Sequence, residues 1–244
     1  MACHTPSLPS WWNDLEHEVR KEDLVVSVFE SIQDRYDLLD SFISFGLDQR
    51  WRRILVSSLN LNPGLTVLDC GAGTGKLTHA ILEKCPDCST ISLDITKGMF
   101  RPSYLPGTKF ILASAEDIPL GDGSVDRVVS AYLTRNLTSV DRYFSEAFRV
   151  MKPGGIFANL DIYNPRAPGF SLLFGIYFYH IVPPFGNMIT HSKSYSYLAE
   201  SVKRFHTPDT ITGKIQTAGF SIVGVRKLLF GSIVLHVARK PDSQ

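Results

Sequence analysis

Residues 65–75 read Leu65-Thr66-Val67-Leu68-Asp69-Cys70-Gly71-Ala72-Gly73-Thr74-Gly75. An apolar run closes on an acid, glycines follow at alternate positions 71, 73 and 75, and a helix-forming stretch from Lys76 to Glu83 begins at once. The spacing predicts a strand, a tight turn and a helix. Glycine has no Cβ, so such a turn lets the backbone run close to a ligand. Asp69 bears on which ligand. A carboxylate at the strand end repels a pyrophosphate, whereas it suits the ammonium and sulfonium of S-adenosylmethionine.

Other readings of the turn fit less well. A phosphate-cradling loop of the form G-x-x-x-x-G-K-[ST] finds Gly75-Lys76 here, but Cys70 and Leu77 occupy two of its defining positions. A dinucleotide fingerprint needs its third glycine three places after the second, and here Gly75 follows Gly73 by two. A glycine-rich turn without a ligand stays open. Asp94 weighs against it, ending the next apolar run at a point suited to the ribose hydroxyls of an adenosine.

The chain has 244 residues, 44% of them hydrophobic, and a formal charge of +1, enough for one α/β domain with a sizeable core. That balance excludes a disordered chain and a basic protein that coats nucleic acid. No basic region followed by an apolar stretch opens residues 1–14, so no secretory signal is expected there. Four cysteines are too few for a disulfide scaffold. The lone Cys85-Pro86-Asp87-Cys88 has no second ligand pair for zinc, so free thiols on a loop are expected, with a local redox pair as the alternative. No cluster suggests a metal, and the setting expected is cytoplasmic.

Helical spacing of Val28, Ile32, Tyr36, Leu39 and Ile43 predicts one or two helices ahead of the sheet. Apolar runs at 90–94, 109–113, 126–132 and 156–162 alternate with charged, helix-forming segments, the pattern of a mostly parallel sheet covered on both faces. Val140 to Met151 reads as a helix ended by Lys152-Pro153-Gly154-Gly155, and Thr207 opens another that Gly219 closes. Residues 220–228 and 232–239 predict a terminal hairpin. Between the fifth and sixth strands, from Asn164 to Arg204, lies an apolar insert. Residues 170–182 are nearly continuously apolar and aromatic, and Pro183-Pro184 is expected to stop them too early to span a bilayer. Two readings stay open, a helix buried on the core and a greasy lid over an apolar substrate. The organisation expected is a helical cap (1–60), an α/β core (61–163), a lid insert (164–206) and a sheet-completing end (207–244).

Further stretches add specificity. Val28-Phe29, Arg35-Tyr36-Asp37-Leu38 and Trp51-Arg52 precede the sheet, and Arg135-Asn136-Leu137-Thr138 follows the fourth strand. Residues 195–205 run Tyr195-Ser196-Tyr197-Leu198-Ala199-Glu200-Ser201-Val202-Lys203-Arg204-Phe205, and the end carries Gly231-Ser232-Ile233-Val234-Leu235-His236. Together these resemble the ubiquinone/menaquinone biosynthesis C-methyltransferase family, over about residues 28–240. Arg149-Val150-Met151-Lys152-Pro153-Gly154-Gly155 is shared more widely among methyltransferases. Ser114 stands where that family usually has Asp or Asn, and Ala131-Tyr132-Leu133 where it has Ser-Phe-Gly.

The resemblance implies an α/β, Rossmann-like class I methyltransferase with a mostly parallel seven-stranded sheet and an antiparallel terminal hairpin. It implies S-adenosylmethionine as cofactor and methylation of a ring carbon on a polyprenylated hydroquinone. Asp69, Gly71, Gly73 and Thr74 would surround the methionine end, with Tyr36 closing over the carboxylate and Asp94, beside Ile95, on the ribose. Ser114, Ala115 and Glu116 would meet the adenine, and Ala131 would line the pocket. Arg135 is the candidate to stabilise a phenolate or orient a proton-accepting water, and its alternative is pairing with a surface carboxylate. Asn136 either orients the same hydroxyl or caps a turn. Tyr132, His180, Tyr195, Tyr197 and Arg204 are candidates for the substrate side, with His180 and His191 as candidate bases; each has a structural role as its alternative. A homodimer and contact with a membrane surface stay open. So do a methyltransferase of other small molecules and a non-catalytic adenosine-binding protein.

Overall fold

A computed structural model describes residues 21–33, 35–102 and 105–242; residues 1–20 of the expected helical cap lie outside them. Among the described residues three helices precede the sheet: α1 (Lys21–Ile32), α2 (Tyr36–Ile43) and α3 (Leu47–Ser57). The third was not read from the apolar spacing, because its exposed positions carry Arg50 and Arg53 while its buried stripe includes Asp48 and Arg52.

Strands β1 (Thr66–Cys70), β2 (Ser89–Asp94), β3 (Lys109–Leu112), β4 (Val125–Ala131) and β5 (Met151–Ile162) lie parallel. The end pair β6 (Ser221–Leu228) and β7 (Ile233–Arg239) is antiparallel, giving the order β3-β2-β1-β4-β5-β7-β6. The Rossmann-like α/β architecture read from the sequence is thus the one observed. Strand β1 pairs with β2 on one side and β4 on the other, so the chain order reverses there. A crevice opens beyond the C-terminal ends of strands at such a switch point, and ligands of open α/β sheets bind in it.

Helices α3 and α4 (Lys76–Lys84) cover one face, where Trp51, Leu55 and Ile81 meet Val129, Leu160 and Leu235. On the other face α5 (Val140–Val150) buries Val140, Tyr143, Phe144, Ala147 and Val150, one helical stripe, against Phe157 and Phe220. The Ser139 hydroxyl caps α5 by accepting from the Arg142 N–H. Phe144 is fully buried, and truncating such a side chain to alanine costs about 3–5 kcal/mol. Strand β5 begins earlier than expected. Met151 already pairs with Val125, and Lys152 to Gly155 bulge out before Ile156 resumes beside Arg127.

Two expectations are corrected. Cys85 and Cys88 are joined as a disulfide across Pro86 and Asp87, not free thiols. Nor does Pro183-Pro184 stop the insert. A single helix runs from Phe170 to Thr190, 21 residues, long and apolar enough by length and composition to cross a membrane. It comprises α6 (Phe170–Gly175), a π-helical stretch (Ile176–Ile181) and α7 (Val182–Thr190). The Val182 N–H reaches back five residues to the Tyr177 carbonyl, so the two prolines fall in the first turn of a new segment, where a missing N–H costs least. Helices α8 (Ser194–Arg204) and α9 (Pro208–Thr217) complete the chain.

Candidate functional site

The glycine turn lies at the switch point. Gly71, Gly73 and Gly75 all have positive φ (67°, 55° and 87°), which side chains other than glycine rarely adopt. A Cβ on Gly71 would stand 2.7 Å from Leu133 Cδ1. Asp94 folds back on the turn, its Oδ2 accepting from the Gly73 N–H and its Oδ1 from the Thr96 N–H, both at 2.8 Å. Burial raises its carboxyl above the usual range.

Asp69 is buried more deeply. Oδ2 accepts from the Thr78 hydroxyl at 2.7 Å, while Oδ1 is buried without a partner. Desolvation pushes this carboxyl up to about 7. A buried carboxylate oxygen without a donor is costly unless a ligand supplies one. Asp69 lines a small cavity with Tyr36, Arg52, Gly71, Gly73, Thr74, Lys76 and Ala131.

A larger cavity, about 80 Å³ against about 30 Å³, adjoins it. Tyr36, Gly71, Gly73, Asp94, Ile95, Ser114, Ala115, Glu116 and Ala131 line it. The Ser114 hydroxyl donates to Glu22 of α1 at 2.9 Å, so that helix closes one side of the cavity with Glu22, Val25 and Phe29. Sequence reading assigned none of the three to the site; Phe29 was noted within the family-like stretch Val28-Phe29, while Glu22 and Val25 offered only an amphipathic stripe, indistinguishable from packing. Glu116 accepts from the Thr138 and Ser139 N–H groups and ties the β3 and β4 loops together.

A second, mainly apolar cavity shares Phe29, Tyr36, Tyr132 and Asn136 with the first. Ile32, Ile43, Ile162, Tyr195, Tyr197 and Leu198 extend it, and Arg135 and Asp40 are its charged groups. Tyr132 sits between the cavities with φ 64°, a strained conformation for an aromatic residue, and the Arg52 guanidinium lies 5.2 Å from its ring centre. Its hydroxyl is buried without a partner. Arg135 is held by Asp161, which accepts from Nη1 at 2.7 Å, and by the Tyr132 carbonyl at 2.7 Å. Its partner is therefore a buried carboxylate, not a surface one, and its Nε is buried without an acceptor. Asn136 donates to the Tyr132 carbonyl and accepts from the Tyr197 hydroxyl at 3.3 Å.

Three candidates fall outside these cavities. His180 is exposed, because Phe174, Phe178 and Val182 turn the inner stripe of the insert helix inward and leave it on the far side. Arg204 occupies the last turn of α8, paired with Glu200 and exposed. His191 is exposed as well. Helix α8, not residues 170–182, supplies the insert's contribution to the second cavity.

The profile of the ubiE/COQ5 methyltransferase family matches residues 17–240. The chain belongs to that family. It is 31% identical over 231 residues to the ubiquinone/menaquinone biosynthesis C-methyltransferase UbiE of Shewanella sediminis, covering 91% of this chain and 92% of that one. In fold it is similar to the [4+2]-cyclase SpnF (TM-score 0.66, 13% identity, covering 90% of this chain and 96% of that one). It is also similar to the geranyl diphosphate C-methyltransferase of Streptomyces coelicolor A3(2), solved with Mg2+, geranyl diphosphate and S-adenosyl-L-homocysteine (TM-score 0.58, 14% identity, covering 80% and 79%). This chain is an S-adenosylmethionine-dependent methyltransferase. Its residues fit the cofactor: the unpartnered Asp69 oxygen suits an ammonium group, and the glycine turn leaves the room that a Cβ would fill.

Proposed function

We infer that this enzyme methylates a ring carbon of a polyprenylated hydroquinone. The observation that carries the reading is the shared wall of the two cavities. One side has the glycine turn and its acids, and the other is mainly apolar with the Arg135 guanidinium and the Asp40 carboxylate in its lining. The names of the curated relatives support the substrate class. A flat ring with ionisable hydroxyls and a long apolar tail matches that lining.

S-adenosylmethionine supplies a methyl made electrophilic by a sulfonium. The protein's part is to hold the acceptor in line and to favour its phenolate. Asp69 and Asp94 would hold the donor end, and Tyr36 and Tyr132, which line both cavities, would flank the approach of the ring to it. A phenol carbon becomes nucleophilic when its hydroxyl loses a proton, because charge spreads to the ortho and para carbons. Arg135, with Nε unspent, stabilises that anion, and Asp40 is the carboxylate placed to receive the proton. As the new carbon–carbon bond forms, the carbon–sulfur bond breaks and opposite charges cancel. The hydrogen on the attacked carbon then leaves as a proton, restoring the aromatic ring. An apolar cavity favours charge cancellation, and alignment lowers the barrier separately.

Incubation with S-adenosylmethionine and demethylated quinols bearing prenyl tails tests the reading. Product one methyl heavier by mass spectrometry is expected. Turnover of an amine or sterol with none of any quinol would overturn the substrate class.

A further inference from the structure

The insert helix Phe170–Thr190 carries no Asp, Glu, Lys or Arg along its 21 residues, yet only 28% of its apolar window is buried. Leu172, Leu173, Ile176, Ile181, Phe185 and Met188 stand exposed, the two leucines at 68% and 64%. Helix α2 and the turn after it extend the same face. Leu38, Phe42 and Phe45 are 71%, 56% and 75% exposed. The Phe42 ring stacks on Phe185 at 5.1 Å, Phe45 lies 5.6 Å from Tyr177, and the Tyr177 hydroxyl donates to the Ile43 carbonyl at 3.0 Å. The two elements thus form one continuous apolar surface. Soluble proteins rarely expose one unless something covers it.

We propose that this face rests on an anionic lipid bilayer, with the insert helix lying in the membrane plane. Charge selects the occupant. A protein interface carries a polar rim around its apolar centre, whereas here an uncharged helix is bracketed by exposed Arg166 before it and exposed Lys193 after it. Residues 164–206 hold four basic side chains against one acid, Glu200, which pairs with Arg204. The acids of α2 turn away from the face: Asp37 meets Lys76, and Asp40 meets Arg52 and Lys76. Apolar side chains flanked by cations match the acyl boundary and the anionic headgroups above it. The helix does not cross the bilayer, because Phe174 and Phe178 pack on Val202 while Val182 packs with Ile32, Leu39 and Tyr195. Ile43 belongs to α2 and also lines the second cavity, so a tail dissolved in the bilayer has a short path to the site. That last link rests on the quinol reading; the face itself does not.

Flotation with phosphatidylcholine vesicles, with and without phosphatidylglycerol, tests the proposal without cofactor or quinol. The full chain is expected to float with the anionic vesicles and to be partly released by salt. Leu172→Glu with Leu173→Glu should weaken this at least tenfold, since both residues project outward. Val223→Glu, on exposed β6, should leave it unchanged. Unaltered melting and S-adenosylhomocysteine binding of the double variant would show that it folds. Wild-type protein that ignores the vesicles would overturn the proposal, whether light scattering then shows a second copy on the face or a monomer covered by its own residues 1–20. Loss of quinol methylation with vesicle binding intact would instead count against the function alone.

Discussion

Arg135 and Asp161 form a buried ion pair, Nη1 donating to Oδ1 at 2.7 Å, and the arginine lines the second cavity. Asp161 is fully buried and also accepts from the Thr134 hydroxyl at 2.6 Å, so the carboxylate fixes both the turn after β4 and the guanidinium. The arginine is thereby positioned, with one donor left over, without a surface partner competing for it.

Removing either partner should therefore have different consequences. Asp161→Asn leaves a buried cation uncompensated and should destabilise the fold by about 3–5 kcal/mol, read by chemical denaturation. Arg135→Lys keeps the charge but loses the planar fork. We expect S-adenosylhomocysteine affinity to hold by calorimetry while kcat falls at least tenfold. Equal turnover in Arg135→Lys and wild type would remove the guanidinium from the chemistry.

Asp69 makes the apo protein sensitive to pH. Its folded carboxyl is raised from 3.8 to about 7, so the folded state holds the proton more tightly than the unfolded chain does. Its contribution to stability is present at low pH and is lost as pH rises through that window. Asp94, also raised by burial, acts in the same direction. Asp69→Asn should flatten the fall in Tm between about pH 4 and pH 7, the interval between the unfolded and folded carboxyl values. Cofactor affinity should behave oppositely, tightening as the carboxylate ionises, and the Asn variant should bind about 10–100-fold more weakly above that transition. A wild-type affinity flat across the window would contradict this.

Asp94→Ala removes the acceptor for the Gly73 and Thr96 N–H groups. Cofactor binding should weaken by about 10–100-fold, as for lost hydrogen bonds to a charged group, while the apolar cavity is untouched. Unchanged binding in calorimetry would place the ribose elsewhere.

Asp40→Asn should keep the fold and the cofactor site, because Arg52 retains Asp48 and Lys76 retains Asp37. If Asp40 accepts the phenol proton, kcat falls by about 10²–10⁴ with cofactor Kd unchanged. Steady-state kinetics beside calorimetry separates the two.

Tyr132→Phe deletes a buried hydroxyl that has no partner, so the variant should melt no lower than wild type. A clear drop in Tm would show that the hydroxyl has a partner in solution.

The glycine turn was legible because its demands are local. Positive φ and close approach can be met by few residues other than glycine, and the acids at 69 and 94 follow from strand length. Alternation of strands and helices then gave the sheet, and the hairpin followed from Gly231 between two apolar runs. What escaped depended on distant partners. Nothing near Glu22 or Asp40 in sequence tells that their helices close over β-strand ends 70 to 100 residues onward, as the Glu22–Ser114 contact requires. Arg135 was singled out, but its partner Asp161 lies a whole helix and strand away. The prolines at 183 and 184 read as a stop because an α-helix cannot absorb them, and a π turn can. The Cys85–Cys88 bond was open in the sequence because a lone pair at that spacing serves either redox state.

The most direct test uses S-adenosylmethionine carrying a 13C-labelled methyl and a demethylated prenyl hydroquinone, with the product read by two-dimensional NMR. We expect the label on a ring carbon, correlated with its aromatic neighbours and with both phenol oxygens free. A label on oxygen, or none transferred by enzyme that still binds S-adenosylhomocysteine, would contradict the account.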